Sequence, residues 1–378
     1  MQKLWFYLSL QNIFTMKKYT ILFALIAFII QSVFAQKDEK AYSFTTVKQI
    51  KTTPVKDQAQ SGTCWSFATT SFIETEMLRL GKPEVDLSEM FFVRNTYPLK
   101  ALKYVRLHGS SNFGSGGQAH DVINMIREFG IVPDEIYNGK NCGETKHDHS
   151  EMDAVLKAML DAIVKNKDGK ITTAWKSITD DILDIYLGKI PTNFNYNGKS
   201  WNPKSFAKDY CGIIPNDYIE ITSFSHHPYY NQFNLEVPDN WSDDLYYNLP
   251  LADMMSVIEN AINTGYSVAW DGDVSEKEFS NKKGFANVPM VDDKNKNEIA
   301  PEQNITQEMR QLKFDSYSTT DDHLMHIVGK SIDQKGNGYY LTKNSWSPSA
   351  NDFGGYMNLS EAFVKLKTVA ILVHKDAI

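Results

Sequence analysis

Cys64 lies between the small-residue turn Ser61-Gly62-Thr63 and the run Trp65-Ser66-Phe67-Ala68. Trp65, Ala68, Phe72, Ile73, Met77 and Leu80 recur at helical spacing, which predicts an amphipathic buried helix. Thr63 stands at its N-cap position, and Gly81 with Pro83 stops it. A thiol at such a helix start meets unpaired backbone N–H groups and the positive end of the helix dipole, which lower a thiol pKa. A cysteine between Trp and Phe also reads as a small core residue. This stretch alone leaves both readings open.

A cysteine nucleophile needs a base for its proton, a group that orients the base, and donors for the oxyanion. The chain holds nine histidines. His147 and His149 lie in a polar loop, and His226 and His227 precede Pro228; neither pair shows a metal-ligand spacing with a partner motif, so no metal and no cofactor is expected. His323 opens the apolar run His-Leu-Met-His-Ile-Val-Gly. On a strand, His323 and His326 point to opposite faces, so at most one of them faces Cys64. Lys343-Asn344-Ser345-Trp346 follows, and an amide at a strand end beside an indole suits the holding of one imidazole tautomer.

Several elements must position these residues. Ser88 caps a predicted helix over 89–97, and residues 98–107 read as a further short helix or turn. Residues 120–129, 152–164, 171–187 and 251–263 are helical by pattern, and residues 190–201 alternate around Asn197-Gly198 as a hairpin. Residues 266–270, 324–328, 338–343, 355–358 and 369–374 read as strands, while 277–307 reads as a charged surface excursion.

Composition narrows the class. Lys17 and Lys18, the apolar run 19–30, and Val33 with Ala35 form a secretory signal-peptide pattern with cleavage near Ala35-Gln36. An exported protein, periplasmic or secreted, with no stable membrane anchor is therefore expected. Residues 1–35 hold three lysines and no acid, so their loss leaves 36 basic against 46 acidic residues, a balance of −10. An acidic chain without a basic stripe excludes the usual nucleic-acid binding modes. Three cysteines, Cys64, Cys142 and Cys211, are too few for a disulfide scaffold.

Asp57-Gln58, Ser61 to Ala68, HLMHIVG and YYLTKNSW together resemble the motifs of papain-like cysteine peptidases, in order and across most of the chain. Gly116-Gly117-Gln118, Gly130 to Pro133, Trp270 to Val274 and Tyr246 to Pro250 resemble the bleomycin hydrolase and aminopeptidase C branch. The resemblance implies an α+β, papain-like two-lobe fold, a helical lobe plus a β-barrel lobe, with an inserted helix and hairpin elaboration. The expected organisation is residues 1–35 signal peptide, 36–144 arm and helical lobe, 145–250 inserted region, and 251–378 β-rich lobe. It implies Cys64 as nucleophile, His323 as base, Asn344 as its orienter and Gln58 as an oxyanion donor. Gly116 and Gly117 would offer backbone to peptide substrates, with Trp346 lining the site. Homo-oligomer assembly is among the arrangements the branch implies. Its C-terminal, cleft-entering arm is expected to be largely missing after Asp376-Ala377-Ile378. Ala59 and Ser347 depart from the family pattern, Ser347 standing where glycine is usual. The expected activity is cysteine-type peptide hydrolysis, aminopeptidase-like or broader; the alternative is a non-catalytic peptide-binding protein of the same shape.

Overall fold

The computed structural model describes residues 42–166, 169–276, 278–290 and 299–378. The signal-peptide pattern of residues 1–35 lies outside them. Strand β1 (Phe44–Gln49) leads to helix α1 (Cys64–Arg79), which begins at the cysteine. Helices α2 (Glu89–Arg106), α3 (Ala119–Phe129), α4 (Ser150–Val164) and α5 (Ala174–Leu187) follow. Strands β2 (Phe194–Tyr196) and β3 (Lys199–Trp201) make the expected hairpin, with Asn197 and Gly198 both at positive φ as its turn requires.

Then come β4 (Tyr218–Thr222), β5 (Gln232–Asn234), β6 (Leu245–Asn248), α6 (Leu251–Thr264) and β7 (Val268–Gly272). The chain continues with β8 (Phe279–Ser280), β9 (Phe285–Ala286), α7 (Gln307–Asp315), β10 (His323–Asp333) and β11 (Gly338–Lys343). It closes with β12 (Tyr356–Ser360), α8 (Glu361–Lys367) and β13 (Thr368–His374).

One sheet runs β5-β6-β4-β13-β7-β10-β11-β12-β9-β8, with β1 paired to β10. Its strands β4 to β6 come from residues 145–250 and extend what 251–378 builds. The period-two alternation sorts its two faces. Ala269, Leu324 and Leu372 pack into one core with α1 to α5, whereas Trp270, Met325, Ile327 and Ile371 pack into another with α6 and α8. Mixed helix and sheet content is thus as expected.

Three local expectations change. Residues 89–106 form one helix that runs through Pro98. The proline costs a ladder bond, but Phe92, Val93, Tyr97, Ala101 and Tyr104 bury one continuous face and hold the helix together. Residues 278–290 are not a loose excursion, because β8 and β9 join the main sheet. Thr63 does not cap α1 through its side chain: its hydroxyl pairs with Ser61 Oγ at 2.7 Å, while its carbonyl accepts from the Ser66 and Phe67 N–H groups at 3.0 and 3.2 Å. The three cysteines are free, Cys211 buried and Cys142 exposed.

Candidate active site

Cys64 is half-buried at the first residue of α1. The backbone N–H groups of Leu324 and Trp65 donate to its sulfur. Burial outweighs them and, with Asp271 and Asp239 nearby, pushes the thiol up to about 12. This is opposite in direction to what the helix N-terminus alone suggested. Burial also pushes the His323 imidazole down, to about 4, against the hydrogen bond it makes to the Asn344 side chain, which favours its charge. Both shifts penalise an isolated charge. A proton passed from Sγ to imidazole creates both charges together, and each then stabilises the other.

The tautomer of His323 follows from its neighbours. The Ser345 backbone N–H donates to Asn344 Oδ1 at 2.8 Å, and a backbone amide can only donate. The same oxygen lies 2.8 Å from His323 Nε2, so Nε2 carries the proton. Nδ1 is therefore the basic atom. Asn344 Nδ2 donates onward to Asn281 Oδ1 at 3.2 Å. Trp346 lies over the His323 ring with centroids 4.4 Å apart, and Phe279 meets its indole edge-on at 6.0 Å. His326 goes elsewhere, to Ser71 Oγ of α1 at 2.9 Å.

Gln58 is pinned to the same segment. Its N–H donates to the Ser345 carbonyl at 2.8 Å, and Ser347 N–H donates to the Lys56 carbonyl at 3.2 Å. Gln58 Oε1 accepts from Ser345 Oγ at 2.6 Å, which leaves the Nε2 end of the amide to donate to a ligand. Behind the site, Lys343 Nζ donates to Ser71 Oγ at 2.8 Å and Thr53 Oγ1 at 3.1 Å, tying β11 to α1.

The Gly116-Gly117 ledge is closely packed. Lys100 Nζ donates to the Gly116 carbonyl, which is therefore already bonded. A Cβ on Gly116 would collide with the Asp239 carboxylate, and one on Gly117 with Asp121 and the Trp65 ring. The Gly116 carbonyl keeps a second lone pair, so a substrate N–H could share it with Lys100. Phe279, Asn281, Asp239 and Asp271 also stand around the site. Loops and the short strand β8 bring Phe279, Asn281 and Asp239 in without a local motif, and Asp271, inside the Trp270 to Val274 segment, is placed by strand register.

Elsewhere, His226 Nε2 and His227 Nε2 approach the Glu236 carboxylate at 3.0 and 2.7 Å, the geometry of a candidate metal cluster. The Ser225 N–H donates to Gln311 Oε1, which turns the Gln311 NH2 to His226 Nδ1. His226 is thereby fixed with its proton on Nε2, donating to Glu236 rather than offering a lone pair to an ion.

Comparison with known proteins gives the same direction. The family model described as the peptidase C1-like family matches residues 104–378. Aminopeptidase G of Lactobacillus delbrueckii subsp. lactis is 22% identical over 370 residues, 86% of this chain and 82% of its own. Aminopeptidase C of Lactococcus lactis subsp. cremoris is 22% identical over 362 residues, 85% of this chain and 81% of its own. Among solved structures, PepW from Lactobacillus rhamnosis is similar in fold at a TM-score of 0.70 and 19% identity, covering 88% of this chain and 82% of that one.

Proposed function

The chain belongs to the peptidase C1-like family, on the aminopeptidase C and bleomycin hydrolase branch, and is a cysteine-type peptidase; from that premise we propose that it hydrolyses peptide bonds through an acyl-enzyme on Cys64. Sγ attacks the peptide carbonyl while its proton passes to His323 Nδ1. The Gln58 Nε2 and Cys64 N–H groups receive the oxyanion. As the C–N bond breaks, the imidazolium returns the proton to the leaving amine. His323 then takes a proton from water, whose oxygen attacks the thioester; the C–S bond breaks, the acid leaves, and the proton returns from Nδ1 to Sγ. Asn344 holds the imidazole with Nε2 protonated throughout.

The observation that carries this reading is the Ser345–Asn344–His323 chain, which leaves Nδ1 as the basic atom of His323, directly before Leu324, whose amide favours the Cys64 thiolate. We read α1 to α3 and the barrel-like part of the sheet as the two walls of the substrate cleft. The names of the relatives support free N-termini as substrates, and a broader peptidase range is compatible with the same chemistry. We further read residues 1–35 as an export signal; N-terminal sequencing of the protein from a cell envelope or culture fraction should begin at Gln36, and a retained Met1 or Met16 would reject it.

The test of the function uses reduced protein with matched fluorogenic peptides, free and blocked at the N-terminus, alongside Cys64→Ala. Turnover that disappears in Cys64→Ala is expected. Failure to cleave either peptide would overturn the reading.

A further inference from the structure

Asp271 stands opposite Leu324 of β10 and opposite Ala370 of β13. It shares strand parity with Ala269, so it projects to the sheet face that α1 covers. It is only 2% exposed, and neither carboxylate oxygen has a hydrogen-bond partner among the described residues. A buried carboxyl group with no donor is costly to keep and calls for one. The N–H of Leu324, its cross-strand partner, bonds Cys64 Sγ. Asp271 is therefore one strand, about 5 Å of backbone spacing, from the residue that touches the nucleophile.

Two more carboxylates approach the same place. Half-buried Asp239 lies over Gly116 and accepts from Asn112 Nδ2 at 2.7 Å. Asp321, two residues before His323, accepts from Gln118 Nε2 at 3.1 Å and from the Asp239 N–H at 3.4 Å. Asp271 feels the charge of both, and Cys64 feels that of Asp239 and Asp271. Gln118 Oε1 adds another buried acceptor without a donor.

The neighbouring cations are already committed. His120 is bonded to Glu220, and Lys100 Nζ donates to the Gly114 and Gly116 carbonyls. Acceptors are in excess beside the thiol, and donors are short. Burial with repulsion among the carboxylates pushes the Asp271 carboxyl well above the ordinary carboxylate range and that of Asp321 up to about 7, so a nearby cation is what would restore their charge. A primary ammonium, with three N–H donors and one positive charge, matches that deficit.

We propose that Asp271, Asp239 and Asp321 form a subsite for a primary ammonium group of the substrate, on the acyl side of the bond that Cys64 attacks. Its occupant is the free α-ammonium of an N-terminal residue. That nitrogen lies two bonds from the carbonyl carbon under attack, so the carboxylates that receive it must stand close beside the thiol. A lysyl side-chain ammonium from the preceding residue has the same chemistry on a longer tether. The inference rests on the peptidase reading above.

The test compares kcat/KM for matched alanyl and N-acetyl-alanyl coumarylamides in the wild type, Asp271→Asn and Asp239→Asn. N-acetyl-lysyl-alanyl and N-acetyl-norleucyl-alanyl coumarylamides form the second pair. The preference for the free over the acetylated substrate should fall about 100-fold in Asp271→Asn and about 10-fold in Asp239→Asn. A fall confined to the lysyl-over-norleucyl preference would assign the same subsite to a side-chain ammonium. Both preferences unchanged in both variants, with wild-type melting temperatures, would overturn the subsite and leave the peptidase reading standing. A wild type that cleaves none of the four substrates would overturn the peptidase reading, and the subsite with it.

Discussion

His326 points its Nδ1 at the Ser71 hydroxyl of α1, 2.9 Å away, although it lies on the same strand as His323. The two histidines therefore serve different neighbours, one at the strand end with Asn344 and Trp346, the other beneath the nucleophile helix. His323→Ala should lower kcat/KM by about three orders of magnitude with little change in melting temperature. His326→Ala should instead cost about 2 kcal/mol of stability, because it leaves the buried Ser71 hydroxyl, which also accepts from Lys343, without its acceptor and opens a cavity under α1. Chemical denaturation and steady-state kinetics on the two variants check this; the reverse pattern would reassign the base.

Ala59, directly after Gln58, has φ +49°, and Ser347, directly after Trp346, has φ +78°. Both are left-handed conformations in which a Cβ is unfavourable. Both residues also depart from the family motif, so the departures fall where glycine is the easier residue. Ala59→Gly should stabilise the protein by about 1 kcal/mol. Ser347→Gly should gain less, since the Ser347 hydroxyl accepts from Ser349 N–H at 3.3 Å. Denaturant midpoints measure both, and a loss of stability in Ala59→Gly would contradict this account of the turn.

Burial alone would lower the His120 imidazole, but Glu220, with Asp121 and Asp244, outweighs it and lifts the group to about 9. The folded value lies above the ordinary 6.5. The stability this group contributes is then fully present below pH 6.5 and is lost as pH rises through about 9. Melting temperature should fall between pH 7 and pH 10, and the fall should be shallower in His120→Asn. Equal slopes in the two proteins would show that another group governs it.

Much of the site was legible before the fold. Cys64, Gln58, His323 and Asn344 sit in short motifs, and the Asn197-Gly198 hairpin and the stop at Gly130 follow from local backbone chemistry. Other features depend on tertiary partners. Pro98 reads as a helix end until the buried face around it is seen. Asn281 and Phe279 reach Asn344 and Trp346 from a segment whose composition suggests only a charged loop. Asp271 looks like one acid in a strand; only the β7–β10 register puts it next to the thiol. The direction of the Cys64 shift was missed for a related reason, since helix position is local and burial is not.

The most direct test is rapid quenching of the enzyme with a free-amine activated ester, followed by proteolytic digestion and mass analysis. The account predicts one acyl increment, on the peptide that contains Cys64, formed and lost at rates compatible with turnover and absent from Cys64→Ala. Turnover with Cys64 unmodified, or an acyl group on Cys142 or Cys211 instead, would contradict it.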